Sequence, residues 1–194
     1  MVRVRFAPSP TGLLHIGNAR VAVFNWLFAK RHKGTFILRI EDTDVARSEK
    51  KYMTQLIEDL HWLGITWQEG PDVGGQYSPY LQSERLHIYN DLCQKFLKEG
   101  IAYRCYCTPE ELEERRRIAK LMGKPPRYDN RCRTLTDAQK KAFETSGLRC
   151  TIRFKVPDEL VVFDDLIRGD CQFDMSLTGD FVIMRSDGTP SFHF

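Results

Sequence analysis

The 194-residue sequence has no apolar run long enough to cross a bilayer, which excludes a protein of membrane-spanning helices. Its opening, MVRVRFAPSP, lacks the apolar core of a secretory leader. Internal repeats and low-complexity segments are also missing, which excludes solenoids and linker-like disorder. Charge of one sign is not in excess: 29 basic against 26 acidic residues leave +3, which argues neither for nor against nucleic acid. With no membrane or export signal, the expected location is cytoplasmic. There the six cysteines are expected as reduced thiols or metal ligands, not as a disulfide framework. What is present, 42% hydrophobic and 28% charged residues, is an ordinary globular composition sized for one domain or two small ones.

The stretch Arg3–Asn18 organises the rest. Val4 and Phe6 alternate with Arg3 and Arg5, the period of a strand, and the Gly- and Pro-rich run from Pro8 to Gly12 can continue neither strand nor helix. Beyond His15, Val21, Phe24, Leu27 and Phe28 recur at helical spacing, so a helix is expected over about 18–33 with these residues on its packed face and Gly34 ending it. Thr35–Ile40 reads as a buried parallel strand. Strand, turn, helix, strand describes a Rossmann-like α/β sheet, whose ligands collect beyond the carboxyl ends of the strands. One pocket there would contain Arg5, Ser9, His15 and Glu41. The turn would offer unpaired N–H groups at the positive end of the helix dipole, with His15 beside a phosphate as a donor and Gly17 allowing close approach. For Glu41 the readings are a cation anchor, a helix cap or a structural salt bridge to Arg5; Asp44 reads as a cap for a helix over about 48–63.

Further along, Ile65–Trp67 reads as a brief strand, Glu69–Ser83 as loop, and Ser83–Gly100 as a third helix. From Ile101 short strands (103–107, 148–156, 160–163, 181–185) and amphipathic helices (109–122, 135–146) follow without βαβ rhythm, an α+β pattern. Arg115–Arg117 is expected to be a solvated helix face before an RNA contact, and Cys93, Cys150 and Cys171 packing residues.

The wording APSPTGLLHIGNAR followed by FNWLFAKRHKGTFILRIEDTD resembles the glutamyl-tRNA synthetases, a class I family with a HIGH signature, here ending in Asn18. The resemblance implies ATP-dependent activation of L-glutamate to glutamyl-adenylate and transfer to the 3′ end of tRNA(Glu), with ATP, Mg²⁺ and bound tRNA required. It places Arg5, Ala7, Ser9, Glu41 and Phe192 at glutamate, with Phe192 where the family usually has Tyr. Ser9, Thr11, Gly12, His15, Gly17 and Asn18 fall at ATP, with His15 the catalytic group. Residues 1–100 correspond to the first half of the nucleotide fold and 101–185 to an inserted domain gripping the tRNA acceptor stem, where Tyr103, Arg104 and Tyr106 would meet the unpaired end. Residues 186–194 begin the return. The family continues with a second half-sheet, a KMSKS loop and anticodon-reading helices, so this chain is expected to be a piece of a longer, monomeric enzyme.

Cys105, Cys107 and, after a 24-residue gap, Cys132 match the spacing of a zinc site in some bacterial members. Their usual fourth ligand, a His, is replaced by Thr134, and Tyr128 is the substitute; reduced cysteines without Zn²⁺ are the other reading. Two further readings of the whole chain stand beside the synthetase: a small stand-alone nucleotidyltransferase, and a catalytically inactive tRNA-binding module.

Overall fold

The computed structural model describes residues 1–43 and 50–194. The expected cap Asp44 and the start of the helix expected from about residue 48 therefore lie outside the described residues. The chain forms two compact units, Met1–Ile88 and Tyr89–Phe194, which part inside a helix; the sequence had suggested a boundary at Gly100.

In the first unit, β1 (Arg3–Phe6) and β2 (Thr35–Leu38) pair in parallel, Arg3 opposite Thr35 and Phe6 opposite Leu38, with α1 (Ile16–Arg31) between them in sequence. The ladder runs past both strands: Arg39 N–H donates to Phe6 O at 3.0 Å and Glu41 N–H to Pro8 O at 2.9 Å. On the other side of β2, Leu38 N–H donates to Glu69 O and Ile40 N–H to Tyr80 O, both at 2.9 Å. The paired segment thus centres on Glu69 and not on Ile65–Trp67, because Ile65 and Trp67 are spent as core residues instead. α2 (Lys50–Trp62) adds Leu56 and Leu60 to a core with Phe6, Phe36, Leu38 and Ile40.

α1 buries the opposite face from the one expected. Ala19, Ala22 and Ala29 are the buried residues, whereas Val21, Phe24 and Leu27 are 43%, 65% and 49% exposed. Small side chains let the helix backbone approach the sheet, with Val23 and Trp26 half-buried against the core, so Val21, Phe24 and Leu27 are left outside. Its end also differs: Lys33 takes the left-handed conformation (φ 49°), while a Cβ on Gly34 would meet Val2 O at 2.5 Å. Gly34 is there for close approach.

In the second unit, β3 (Ala102–Cys105), β4 (Thr151–Phe154) and β7 (Val182–Met184) form an antiparallel sheet in the order β3-β4-β7. On α3 (Leu86–Lys98), Tyr89 and Cys93 pack with Met184. α4 (Pro109–Leu121) and α5 (Asp137–Thr145) both begin with capping boxes, Thr108 with Glu111 and Thr136 with Gln139. β5 (Leu160–Asp165) and β6 (Gly169–Asp174) make a separate hairpin; β6 was not expected, because Gly169-Asp-Cys-Gln-Phe-Asp174 carries little β-propensity. Among the described residues no helix is long and apolar enough to cross a membrane.

The α1 face is testable by substitution. Ala22→Leu should destabilise this chain by about 1–3 kcal/mol through overpacking, while Phe24→Gln should stay within about 0.5 kcal/mol. Urea midpoints of the two variants would measure both.

Candidate functional site

The first group of site residues sits where β1 and β2 end. Glu41 is buried, and the ladder bond from its N–H to Pro8 O sets it beside Ala7 and Ser9. Its carboxylate accepts from Arg39 Nε at 2.7 Å and pairs with Arg39 Nη2 at 2.6 Å. Sequence reasoning missed Arg39, although residues two apart on a strand share a face. Arg5 and Ser9 are exposed at the same end, and Thr11 N–H donates to Ser9 O at 2.9 Å within the turn. Asp42 turns elsewhere and receives Ser83 N–H at 2.8 Å and Ser83 Oγ at 2.6 Å.

His15 is the N-cap of α1. Its Nδ1 accepts from Gly17 N–H at 3.2 Å, and its carbonyl takes the N–H of Asn18 and of Ala19. The helix start therefore has fewer free donors than the sequence suggested, since His15 itself fills part of that role. An acceptor at Nδ1 puts the proton of the neutral ring on Nε2, which makes Nε2 a donor on an exposed side chain. Gly17 has a structural reason too: a Cβ there would sit 3.0 Å from the His15 ring. Gly12 has nothing within 4 Å of a Cβ position. Phe192 belongs to the second unit, is 87% exposed, and sets its ring edge-on to His193.

Beneath the loop that follows Glu69, Arg3 grips the Glu69 carboxylate with both terminal nitrogens, at 2.6 and 2.8 Å, and Tyr80 donates its hydroxyl to the same group. These bonds, Arg3's first, hold the Glu69 carboxyl below its ordinary pKa against the opposing effect of burial.

A second group lies in the second unit. The sulfurs of Cys105, Cys107 and Cys132 lie within 4.8 Å of one another, with Cys107 and Cys132 3.7 Å apart. Tyr128 Oη is 3.3 Å from Cys105 Sγ and 3.6 Å from Cys107 Sγ, and accepts from Cys132 N–H at 3.2 Å. So the structure brings together the three cysteines singled out by spacing and Tyr128, the substitute ligand taken from the resemblance; Thr134 is exposed. Hydrogen bonds from Cys107 and Cys132 push the Cys105 thiol pKa down, and the shared bond to Cys105 pushes Cys107 up.

Around this cluster is a buried polar network that the sequence did not announce. Asp180, with a fully buried side chain, receives Tyr103 Oη at 2.5 Å, Arg133 Nε at 2.5 Å and Val156 N–H at 2.9 Å, with a further bond from Arg133 Nη2. Burial alone would raise its pKa; the bonds from Arg133 and Tyr103 overcome that and hold it low. Tyr103 and Tyr106 are buried, Tyr106 stacked on Phe143 at 5.1 Å and donating to Glu144 at 2.9 Å, so neither offers a ring face to RNA as expected. Arg104 is exposed. Arg116 and Arg117 pair with Glu113 and Glu114 on the same helix and Arg115 with Asp129 beyond its end, so all three arginines carry carboxylate partners.

The family model for class I tRNA synthetases (E and Q), catalytic domain, matches residues 1–194. The chain therefore belongs to the class I glutamyl- and glutaminyl-tRNA synthetase family, within its catalytic domain. It is 56% identical over 194 residues to the glutamate–tRNA ligase of Sulfurihydrogenibium sp., covering 100% of this chain and 41% of that protein. It is 53% identical to the glutamate–tRNA ligase of Moorella thermoacetica, covering 40% of that protein. A crystal structure of a glutamate tRNA ligase from Elizabethkingia meningosepticum, in complex with its amino acid, superposes with a TM-score of 0.88 at 40% identity, over 100% of this chain and 40% of that one. The chain thus spans about 40% of the length of the relatives it matches.

Because Asp180 and Glu69 have depressed pKa values, the stability they contribute is present above the unfolded carboxylate range, about pH 4, and is lost as pH falls through their folded values. Thermal midpoints should be level above about pH 5 and drop steeply below about pH 4. Asp180→Asn should shallow that drop, as followed by circular dichroism between acid and neutral buffer.

Proposed function

We propose that this chain supplies the part of a glutamate–tRNA ligase that binds glutamate and the phosphates of ATP. The observation that carries the reading is the strand-end arrangement: a buried carboxylate, Glu41, fixed by the β1–β2 ladder beside Ala7 and Ser9, with the donor His15 opening the next helix. Glutamate has one ammonium and two carboxylates. Glu41 is suited to the ammonium and Arg5 to a carboxylate held by two parallel hydrogen bonds, with Ser9 adding a donor. Ser9, Thr11, Gly12, Gly17 and Asn18 line the turn along which ATP would lie. The glutamate carboxylate attacks the α-phosphorus in line and pyrophosphate leaves; positioning and charge stabilisation carry the rate, without a protein nucleophile. His15 Nε2–H would donate to the phosphate oxygens as charge develops, its ring steadied by the Gly17 N–H at Nδ1. Mg²⁺ supplies further neutralisation of the phosphates.

Residues of the second unit, 101–185, would meet the acceptor stem of tRNA(Glu). With Tyr103 and Tyr106 buried, contact falls to exposed groups such as Arg104 rather than to aromatic stacking.

The cysteine cluster fits Zn²⁺. A tetrahedral centre with Zn–S of about 2.3 Å and Zn–O of about 2.0 Å has S···S edges near about 3.8 Å and S···O edges near about 3.5 Å. The distances here are 3.7 Å between Cys107 and Cys132, and 3.3 and 3.6 Å from Tyr128 Oη to Cys105 and Cys107. Cys105, Cys107, Cys132 and Tyr128 would hold the ion in a structural role, tying β3 to the turn that carries Cys132.

The test is glutamate-dependent ATP–pyrophosphate exchange, with and without tRNA, on the complete enzyme carrying this sequence. His15→Ala should lower turnover about 10²–10³-fold, with the glutamate KM changed by less than about threefold. Unchanged turnover would remove His15 from the chemistry. Salt-sensitive tRNA binding without any exchange would instead favour a binding module.

A further inference from the structure

Arg153 occupies β4, where strand alternation puts Cys150, Ile152 and Phe154 on one side and Arg153 on the other. The apolar side would be the packed one, yet Arg153 is the most buried residue of the strand, at 7% exposure. A buried guanidinium is costly unless its charge is balanced. Its Nη1 donates to the Asp180 carbonyl at 2.7 Å, but no carboxylate pairs with it among the described residues, and its Nε is buried with no hydrogen-bond partner. What it faces instead is the residue whose oxygen reaches the sulfurs: the guanidinium carbon lies 3.8 Å over the Tyr128 ring.

We propose that Arg153 is a positioning residue of the Cys105–Cys107–Cys132–Tyr128 centre, pressing Tyr128 into ligating position and balancing the charge of the sulfurs. This rests on the zinc reading above. With Tyr128 binding as a neutral phenol, three thiolates and a divalent cation sum to −1, and the guanidinium brings the ligand set to neutrality. The planar face of Arg153 closes one side of the Tyr128 ring. Gly179 closes off the backbone of the same residue, since a Cβ there would lie 3.0 Å from Tyr128 N. The Tyr128 oxygen is then held toward the sulfurs while Cys132 N–H donates to it at 3.2 Å. The buried Asp180 network anchors Arg153, through its carbonyl, Arg133, the neighbour of Cys132, and Tyr103 on the strand that carries Cys105, so ligands from two separate segments share one support.

Zn²⁺ affinity of this chain, measured by competition with a chromophoric chelator at fixed pH, tests the assignment. Wild type should bind one Zn²⁺, and Cys107→Ser should abolish that binding. Arg153→Met should weaken affinity about 10–100-fold, and Arg153→Lys, which keeps the charge without the planar face, should fall between. Arg153 and Tyr128 should also be coupled: in a Tyr128→Phe background the loss caused by Arg153→Met should be clearly smaller. The thiolate-to-Co²⁺ absorption band of the cobalt-loaded protein should shift in both single variants. If Arg153→Met does not fold by near-ultraviolet circular dichroism, Arg153→Lys decides. Wild-type affinity in Arg153→Lys and Arg153→Met overturns the role of Arg153 while leaving the metal centre intact. So does a loss of equal size in both Tyr128 backgrounds. A wild-type chain that binds no zinc overturns the metal reading and this inference together.

Discussion

A single buried carboxylate, Asp180, fixes the interior of the second unit. Taking a charge out of water costs several kcal/mol unless its lone pairs are filled by donors. Here donors reach the carboxylate from three places, Tyr103 on β3, Arg133 beside Cys132 and Val156 after β4, and Arg153 donates to the backbone carbonyl of the same residue. Each of those segments is short, and a small antiparallel sheet with one hairpin standing apart buries little apolar area for its length. Polar convergence on one residue therefore does for this unit what a continuous apolar core does for the first. The close grouping of the cysteines follows from it, because Cys105 and Cys132 lie on segments that Asp180 ties together.

The first unit shows a different division of labour. Its apolar core, from Phe6 through Trp67, sets the parallel ladder, and the ladder then delivers charged and polar groups to the strand ends. Glu41 depends on this directly: its backbone is paired while its side chain is free to answer Arg39. The Arg3–Glu69–Tyr80 bonds secure the loop after Glu69 from below, so that the sheet supports that loop as well as the turn.

How much of this could be read beforehand differed by kind of feature. Strand–turn–helix at Arg3–Asn18 was legible because Pro, Gly and the change of hydrophobic period all point the same way. The cysteine grouping with Tyr128 was legible from spacing together with family resemblance. The buried face of α1 was not, since alanines carry a weak periodic signal and Val21, Phe24 and Leu27 a strong one. Close helix-to-sheet approach selects small residues, and periodicity weighted by size reads that backwards. Arg153 and Asp180 were illegible for a related reason: a charged residue in a short strand, or just before one, looks solvent-facing until its partners, 24 to 77 positions away, are known. β6 carried almost no pattern of its own and is held by pairing with β5.

The self-pairing of α4 has an outcome for how this region meets a polyanion. Between Pro109 and Leu121 four glutamates stand against three arginines and one lysine, so the helix has no net charge. Two of its arginines are neutralised one turn away, Arg116 on Glu113 and Arg117 on Glu114, and the third, Arg115, by Asp129 beyond the helix end. Opposite charges that close together make short-ranged fields, further cut by a screening length of about 8 Å in physiological salt. Despite three consecutive arginines, the helix cannot act as a long-range attractor; a nucleic acid arriving here would be recognised on touch, after diffusion and other surfaces had brought it in.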